Sequence, residues 1–304
     1  MKMKAKKRTY DEVEIINKPS VKTGNPVLDA FLSSDLGFQL GNLIMMTGTS
    51  GAGKTTLCKL LQKWIKEPTN FHALESLASS VKRQTGRIKI DHGMAFITDE
   101  EDYADFDAFM EFLYEDEPLF VMVDSLQHAV KQLKKKGMNE KDAYHHVLDS
   151  LYDWKDKTQG VVILICQLNK DGSFSGPSGM LFDADAQIHL EFNPKTGERT
   201  METFKNRMGQ LDSIYYEFTS CEEVMKFYTN EEWEIVRTGV SLPEMISDTA
   251  FKFASAFKNH DNYKSFKKDF NKEVKEIYNN NDDDTVICTE IVMLMAKLSQ
   301  KHFA

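Results

Sequence analysis

Gly48-Thr49-Ser50-Gly51-Ala52-Gly53-Lys54-Thr55 fits G-x-x-x-x-G-K-[ST] at every position. The apolar run Leu43–Met46 leads into it, and a helical pattern over Thr55–Lys66 leads out. Strand, glycine-rich turn and helix start, in that order, make a phosphate cradle. The glycines let backbone N–H groups turn toward phosphate oxygens, and the helix N-terminus adds the positive end of its dipole. Lys54 is expected to reach the β- and γ-phosphates of ATP. The Thr55 hydroxyl is expected to ligate Mg²⁺, with Thr56 beside it on the first turn.

Working outward, short apolar runs alternate with helical patterns from Val21 to about Phe218. The runs are Leu43–Met46, Phe71–Leu74, Met94–Ile97, Leu119–Val123, Val161–Cys166, Ile188–Phe192 and Ile214–Phe218. Several are continuous rather than alternating, as in strands buried on both faces of a parallel sheet. Helical stretches separate them near Lys54–Lys66, Ser76–Gln84, Ala104–Tyr114 and Asn139–Trp154. This is an α/β pattern. The late runs at 188–192, 199–204 and 214–218 lie close together, so an antiparallel extension is expected at one end of a mainly parallel sheet flanked by helices.

A second metal partner should be an acid at the tip of a buried strand. Leu119-Phe120-Val121-Met122-Val123-Asp124 supplies one in Asp124, which otherwise reads as a helix cap after a core strand. A hydrolase also needs a group that positions the attacking water. Glu75 ends the run Phe71–Leu74, while Asp99, Glu100 and Glu101 follow the next run. Glu75 is favoured because the strand next in sequence can lie beside the phosphate-binding one, although a capping or surface carboxylate would look the same. Gln167 closes Val161–Cys166. An uncharged amide at that tip can hydrogen-bond the γ-phosphate and report its loss to the loop that follows, or it is an ordinary polar strand end.

Composition sets the outer bounds. The chain has 304 residues, 41% apolar and 28% charged, which are globular values and exclude wholesale disorder. A membrane span needs about 20 apolar residues, and no strictly apolar run exceeds six, the length of Val161–Cys166. MKMKAKKR has no apolar stretch behind it, so it is not a secretory signal. Cys58, Cys166, Cys221 and Cys288 form no CxxC pair, which argues against a zinc site and for a reducing, cytoplasmic compartment. Formal charge is −9, with five basic residues (Lys2, Lys4, Lys6, Lys7, Arg8) in the first eight. The remainder is strongly acidic and cannot coat a polyanion with its whole surface. Any nucleic-acid contact must be local.

Three parts are expected: a basic arm over 1–20, an ATPase core over 21–218 and a helical region over 219–304. In the last, Tyr263, Phe266, Phe270, Val274 and Ile277 fall at spacings of three and four. Ile287, Ile291, Leu294, Met295 and Leu298 repeat the pattern after the polar stretch 279–284. Their apolar faces pack on the core or on each other, or they dock a protein partner.

The motif set resembles the RecA superfamily of ATPases. Lys22-Thr23-Gly24, Leu28-Asp29 and Leu36-Gly37-Phe38-Gln39-Leu40-Gly41 lead into the phosphate loop as that superfamily's opening does. Later landmarks resemble its bacterial RadA (Sms) branch. Val123-Asp124-Ser125-Leu126-Gln127 is similar to V-I-D-S-I-Q. Leu168-Asn169-Lys170-Asp171-Gly172, Ser175-Gly176-Pro177 and Asp185 are similar to V-T-K-E-G, A-G-P and the following aspartate. Phe204-Lys205-Asn206-Arg207-Met208-Gly209 is similar to K-N-R-F-G, with Met208 in place of its phenylalanine. The resemblance covers about residues 21–218.

It implies a RecA-type sheet, self-association into a ring or filament with ATP at subunit interfaces, and DNA-stimulated hydrolysis driving single-strand translocation or branch migration. It supports Glu75 as the water-activating acid, since Glu75-Ser76 resembles the family's E-E-S. It also implies that Lys205 and Arg207 point toward a neighbouring subunit's nucleotide, where a cation stabilises charge on the transferring phosphate. Read without the family, the same two residues make a solvated basic turn. The family's four-cysteine zinc module and Lon-protease-like domain have no counterpart in this sequence. A core of that kind suits a phage-encoded protein acting in the bacterial cytoplasm.

In RecA-type rings the loops after the metal strand and after the Gln-bearing strand face the channel. Here the first holds Lys131, Lys134, Lys135 and Lys136, and the second, 169–180, holds Lys170 and Phe174 among glycines and prolines. Lysines can neutralise phosphates while an aromatic ring stacks on a base. The lysine run otherwise reads as a solvated helix face. Two alternatives stand beside the single-stranded-DNA motor. One is a nucleotide-driven scaffold that binds a protein through 219–304. The other is a small-molecule kinase, which explains neither Lys205–Gly209 nor the glycine-rich loop.

Overall fold

The computed structural model describes residues 19–34, 36–169, 172, 174–177, 179, 183–220, 224–239, 246, 262–280 and 284–303. The basic residues of the first eight, and Lys170, lie outside these. Strands β1 (Ser20–Val21) and β2 (Phe38–Gln39) pair antiparallel and bracket α1 (Pro26–Leu32). Then β3 (Leu43–Gly48) leads to α2 (Lys54–Trp64), β4 (Thr69–Ala73) to α3 (Ala78–Gln84), and β5 (Ala95–Asp99) to α4 (Phe106–Asp116). β6 (Phe120–Asp124) leads to α5 (Leu126–Lys135) and α6 (Glu140–Thr158), and β7 (Val161–Ile165) follows. β8 (Ala186–Phe192), β9 (Arg199–Asn206), β10 (Ser213–Phe218) and β11 (Met225–Tyr228) complete the strands.

Nine of these strands form one sheet in the order β11-β10-β9-β8-β3-β7-β6-β4-β5. From β8 to β5 the neighbours run parallel, and β8–β9 and β9–β10 are antiparallel. The parallel core with an antiparallel extension is the expected architecture. Both faces of the core strands are covered, which is why their sequences are continuously apolar. Ile44, Met46, Phe71, Phe120 and Ile163 pack with Leu28, Phe31, Leu57 and Leu61 of α1 and α2. Leu43, Met45, Val121, Val123 and Leu164 pack on the other side with Phe109, Leu133, Leu151 and Trp154 of α4, α5 and α6.

Three features differ from the sequence reading. β4 does not lie beside β3, because β7 and β6 stand between them; chain order is not strand order in a sheet whose crossovers skip positions. The lysines 131–136 are not on a loop but on and just after α5, because Leu126, Ala129, Val130 and Leu133 form a buried stripe that commits the segment to a helix. β11 also adds a strand beyond residue 218, and the first compact unit runs to Phe227.

The second compact unit spans 228–304. In it, α7 (Asn230–Thr238) starts with a Thr229/Glu232 capping box. α8 (Tyr263–Asn280) and α9 (Asp284–Phe303) pack on each other through Phe266, Phe270, Ile287, Ile291, Leu294 and Leu298. Lys297 pairs with Glu273 at 3.3 Å and Lys301 with Asp269 at 2.8 Å along the hairpin.

Candidate active site

The phosphate loop leaves the tip of β3 and is tied down on both sides. Thr49 N–H donates to Leu190 O at 3.1 Å, the Thr49 hydroxyl accepts from Phe192 N–H at 3.1 Å, and Tyr216 O–H donates to Ala52 O at 2.6 Å. Two glycines are dictated by this packing. A Cβ on Gly48 would sit 2.1 Å from Leu190 O, and one on Gly53, at φ +106°, would sit 2.4 Å from the Phe218 ring. Ser50 and Gly51 complete the rim, with Thr56 on the first turn of α2.

The loop opens into a cleft of 570 Å³ lined also by Lys54, Thr55, Glu75, Asp124, Arg87 and Phe218. Lys54 Nζ turns back to donate to Gly48 O at 2.8 Å and Thr49 O at 3.1 Å. Burial pushes its pKa down, opposed by the charges of Asp124 and Glu75. The Thr55 hydroxyl donates to Asp124 Oδ2 at 2.9 Å. Burial pushes the Asp124 carboxyl up, and the Thr55 hydrogen bond works against it. The donor set fits a magnesium nucleotide: an ammonium held only by carbonyls is free to turn to phosphate, and a hydroxyl–carboxylate pair is the hard oxygen set Mg²⁺ takes alongside water and phosphate. The volume is in the range of small-molecule sites.

Glu75 reaches the cleft by a different route from the adjacency expected. β4 ends beside β6, and Leu74 and Glu75 N–H both donate to Asp124 O, at 2.7 and 3.0 Å, folding the chain across the strand tip. Gln167 Nε2 then donates to Glu75 Oε2 at 3.2 Å, bringing the two side chains together. Asp99 instead accepts from Ala78 N–H at 2.7 Å at the start of α3.

Phe218 lines this cleft and Gln127 stands behind its strand tips; neither was singled out as a site residue by the sequence. Gln127 Oε1 accepts from Gln167 N–H at 2.8 Å, and its Nε2 donates to Ser175 O at 2.7 Å. Tyr144 O–H donates to the same carbonyl at 2.7 Å. Gln127 thus joins the strand tip to the glycine-rich segment. Phe218 stacks near Arg199, whose guanidinium carbon is 4.9 Å from its ring centre. The only sequence signal for Gln127 was its place in Val123–Gln127.

The remaining expected residues lie elsewhere. Lys205 and Arg207 sit where β9 pairs with the start of β8, since Gln187 partners Lys205 and Ala186 partners Asn206. Ala186 pairs in turn with Ile44, and Leu190 with Gly48. The turn is therefore about four residues, or about 13 Å at 3.3 Å per residue, down the sheet from its own phosphate loop. Arg207 is exposed and pairs with Asp185 at 3.3 Å. Burial and the Arg207 charge push Lys205 down. Lys131, Lys134, Lys135 and Lys136 are exposed. Lys134 pairs with Glu140 at 2.8 Å, and Lys136 with Asp105 at 2.6 Å and Asp107 at 3.1 Å. Phe174 is half-buried against the core, bridged to Leu168.

A largely parallel sheet, a glycine-rich loop at the tip of its phosphate strand and a hydroxyl–carboxylate pair at the neighbouring tips define a RecA-type P-loop ATPase domain. Residues 21–232 match the family model "ATPase: KaiC", and the chain belongs to that family. It is similar to the DNA repair protein RadA of Escherichia coli, 25% identical over 222 residues that cover 69% of this chain and 45% of that protein. RadA of Haemophilus influenzae is 24% identical over 214 residues, with 69% and 45% covered. The chain spans about half the length of the curated relatives it matches. In fold it is similar to a KaiC-like protein from Pyrococcus horikoshii, with a TM-score of 0.56, 21% identity and coverage of 70% of this chain and 100% of that one. Among the described residues no helix is long and apolar enough to cross a membrane.

Proposed function

We propose that this chain is a Mg-ATP-dependent, oligomeric ATPase of RadA-like type, stimulated by single-stranded DNA and acting in the cytoplasm in recombination, repair or replication. The observation that carries the reading is the separation just described. Lys205 and Arg207 are cationic and lie well down the sheet from their own phosphate loop, which supports a role at a nucleotide held by another copy. Similarity to proteins named for DNA repair supports the choice of DNA.

In this reading Thr55 and Asp124 hold the metal, which when bound supplies Lewis acidity to the phosphate oxygens. Lys54 exchanges its loop carbonyls for phosphate. Glu75 orients a water and accepts its proton, while Gln167 fixes the Glu75 carboxylate and, through Gln127, passes its position to the segment around Ser175. Arg207 must leave Asp185 to reach a neighbour's phosphate. When it does, the largely buried Asp185 keeps the Leu43 N–H at 2.9 Å and Lys155 at 3.6 Å. DNA would be taken by Lys131, Lys135, Phe174 and Lys170, with the basic arm adding nonspecific affinity.

The test is the ATPase rate across protein concentration, with and without single-stranded DNA, at low and high salt. A rate per subunit that rises with concentration, and jumps with DNA in a salt-sensitive way, is expected. A concentration-dependent rate that ignores DNA would instead favour a nucleotide-driven scaffold. Val292 and Met293, exposed on α9, suit a partner-docking element of that kind.

A further inference from the structure

A second cleft of 320 Å³ lies on the same unit and shares no lining residue with the nucleotide cleft. At its base is Lys59 of α2, 5% exposed. A lysine so deeply buried is normally paired with a carboxylate, because an uncompensated charge in the interior is costly. Here Nζ donates to Gln62 Oε1 at 2.7 Å and lies 4.5 Å from the centre of the Phe71 ring. No carboxylate among the described residues lies within ion-pairing distance of it. The two contacts it has are neutral, and an ammonium carries three N–H donors.

The rest of the cleft describes what would complete it. Lys82, exposed on α3, adds a second cation at the rim. His92 is committed, its Nε2 to Gln62 O at 2.8 Å and its Nδ1 to Met94 N–H at 3.3 Å, so both ring nitrogens are engaged. Ile88, Ile90, Phe96 and Ile97 make the walls apolar. One buried ammonium with one rim lysine suits a monoanion better than a multiply charged phosphate. Apolar walls and a few hundred Å³ suit a small body attached to it.

We propose that this cleft is a binding site, distinct from the nucleotide site, for a small organic carboxylate whose anionic head neutralises Lys59 while its apolar body fills the space toward Phe96. The two clefts share elements though not residues. Gln84 and Arg87 line the first, and Lys82, Thr85 and Gly86 line the second, so one short segment at the end of α3 separates them.

The experiment is a titration of the full chain with phenylacetate by ligand-observed NMR, with 2-phenylethanol as the uncharged isostere. Saturable binding in the millimolar range or tighter is expected for so small a ligand, with the alcohol at least about tenfold weaker. Lys59→Met should abolish binding. Lys82→Glu, at an exposed position that cannot threaten folding, should weaken it several-fold. Lys54→Ala should leave it unchanged. Absence of saturation to about 20 mM, equal affinity for the alcohol, or indifference to Lys82→Glu would each overturn the proposal. Loss of binding in Lys54→Ala would do so too, by placing the anion in the phosphate loop.

Discussion

Gln127→Ala isolates the link between the strand tips and the segment behind them. The substitution removes the 2.8 Å bond from Gln167 N–H and the 2.7 Å bond to Ser175 O. At about 1 kcal/mol net for each, the loss is about 2 kcal/mol. Ser175 O keeps its Tyr144 partner, so the orphaned group is the Gln167 N–H. For a unit of this size that lowers the melting temperature by about 4–8 °C. The larger effect falls on turnover. Without its anchor the Gln167 carboxamide no longer holds Glu75, and loss of a hydrogen bond to a charged group, at about 1.5–2 kcal/mol, slows hydrolysis about 10- to 30-fold. ATP affinity should be unchanged, because Gln127 does not line the nucleotide cleft. Tyr144→Phe is the control. It removes one of two donors to Ser175 O, costs up to about 1 kcal/mol, and leaves kcat within about twofold. Steady-state ATPase rates, nucleotide titration and thermal unfolding of both variants decide the matter. If Gln127→Ala turns over at the Tyr144→Phe rate, the relay through Gln167 is wrong.

Lys54→Ala should abolish turnover while the fold survives, as followed by ATPase assay and circular dichroism; retained activity would remove the phosphate-loop assignment. Gly53→Ala should cost at least about 1 kcal/mol for the left-handed backbone and about 1–3 kcal/mol more for the clash with Phe218, with ATP affinity falling as the loop shifts. Adding Phe218→Ala should recover only the second part, measured by urea unfolding. The buried Lys59 gives a pH signature. Burial lowers it from 10.5 to about 8, so below about pH 8 the native state carries the cost of a buried ammonium. Between about 8 and 10.5 the unfolded chain holds a proton that the native chain does not, and stability rises with pH. Measured against Lys59→Met, wild type should gain up to a few kcal/mol across that window; parallel profiles would show that the lysine is not desolvated.

Features carried by consecutive residues were legible in the sequence. The phosphate loop, the apolar strands and the aspartate that ends β6 each fall within a few positions, and local geometry follows from local composition. Glu75 was picked out on a mistaken premise, strand adjacency, and reaches the cleft through backbone bonds to Asp124 that no pattern announces. The lysines on and just after α5 looked like a loop because charge dominates the run, yet four small or apolar residues at helical spacing decide its structure. Gln127 meets Gln167 forty positions away, and Phe218 covers Gly53 from the far end of the unit; such pairings depend on strand order and stay hidden until the sheet is assembled. Nothing in the sequence marked Lys59, since burial of a single side chain leaves no trace in composition.

The central claim is that one copy's nucleotide is completed by another copy's Arg207. Mixing Arg207→Ala with Lys54→Ala tests it directly. The first keeps a working phosphate loop, the second a working arginine, and each alone should bind its partners yet hydrolyse almost nothing. In an equal, freely exchanging mixture about one quarter of head-to-tail interfaces join the intact loop of one to the intact arginine of the other. The account predicts that about a quarter of the wild-type rate returns. A mixture no faster than the sum of its parts, or an Arg207→Ala chain that hydrolyses ATP at full rate alone, would contradict it.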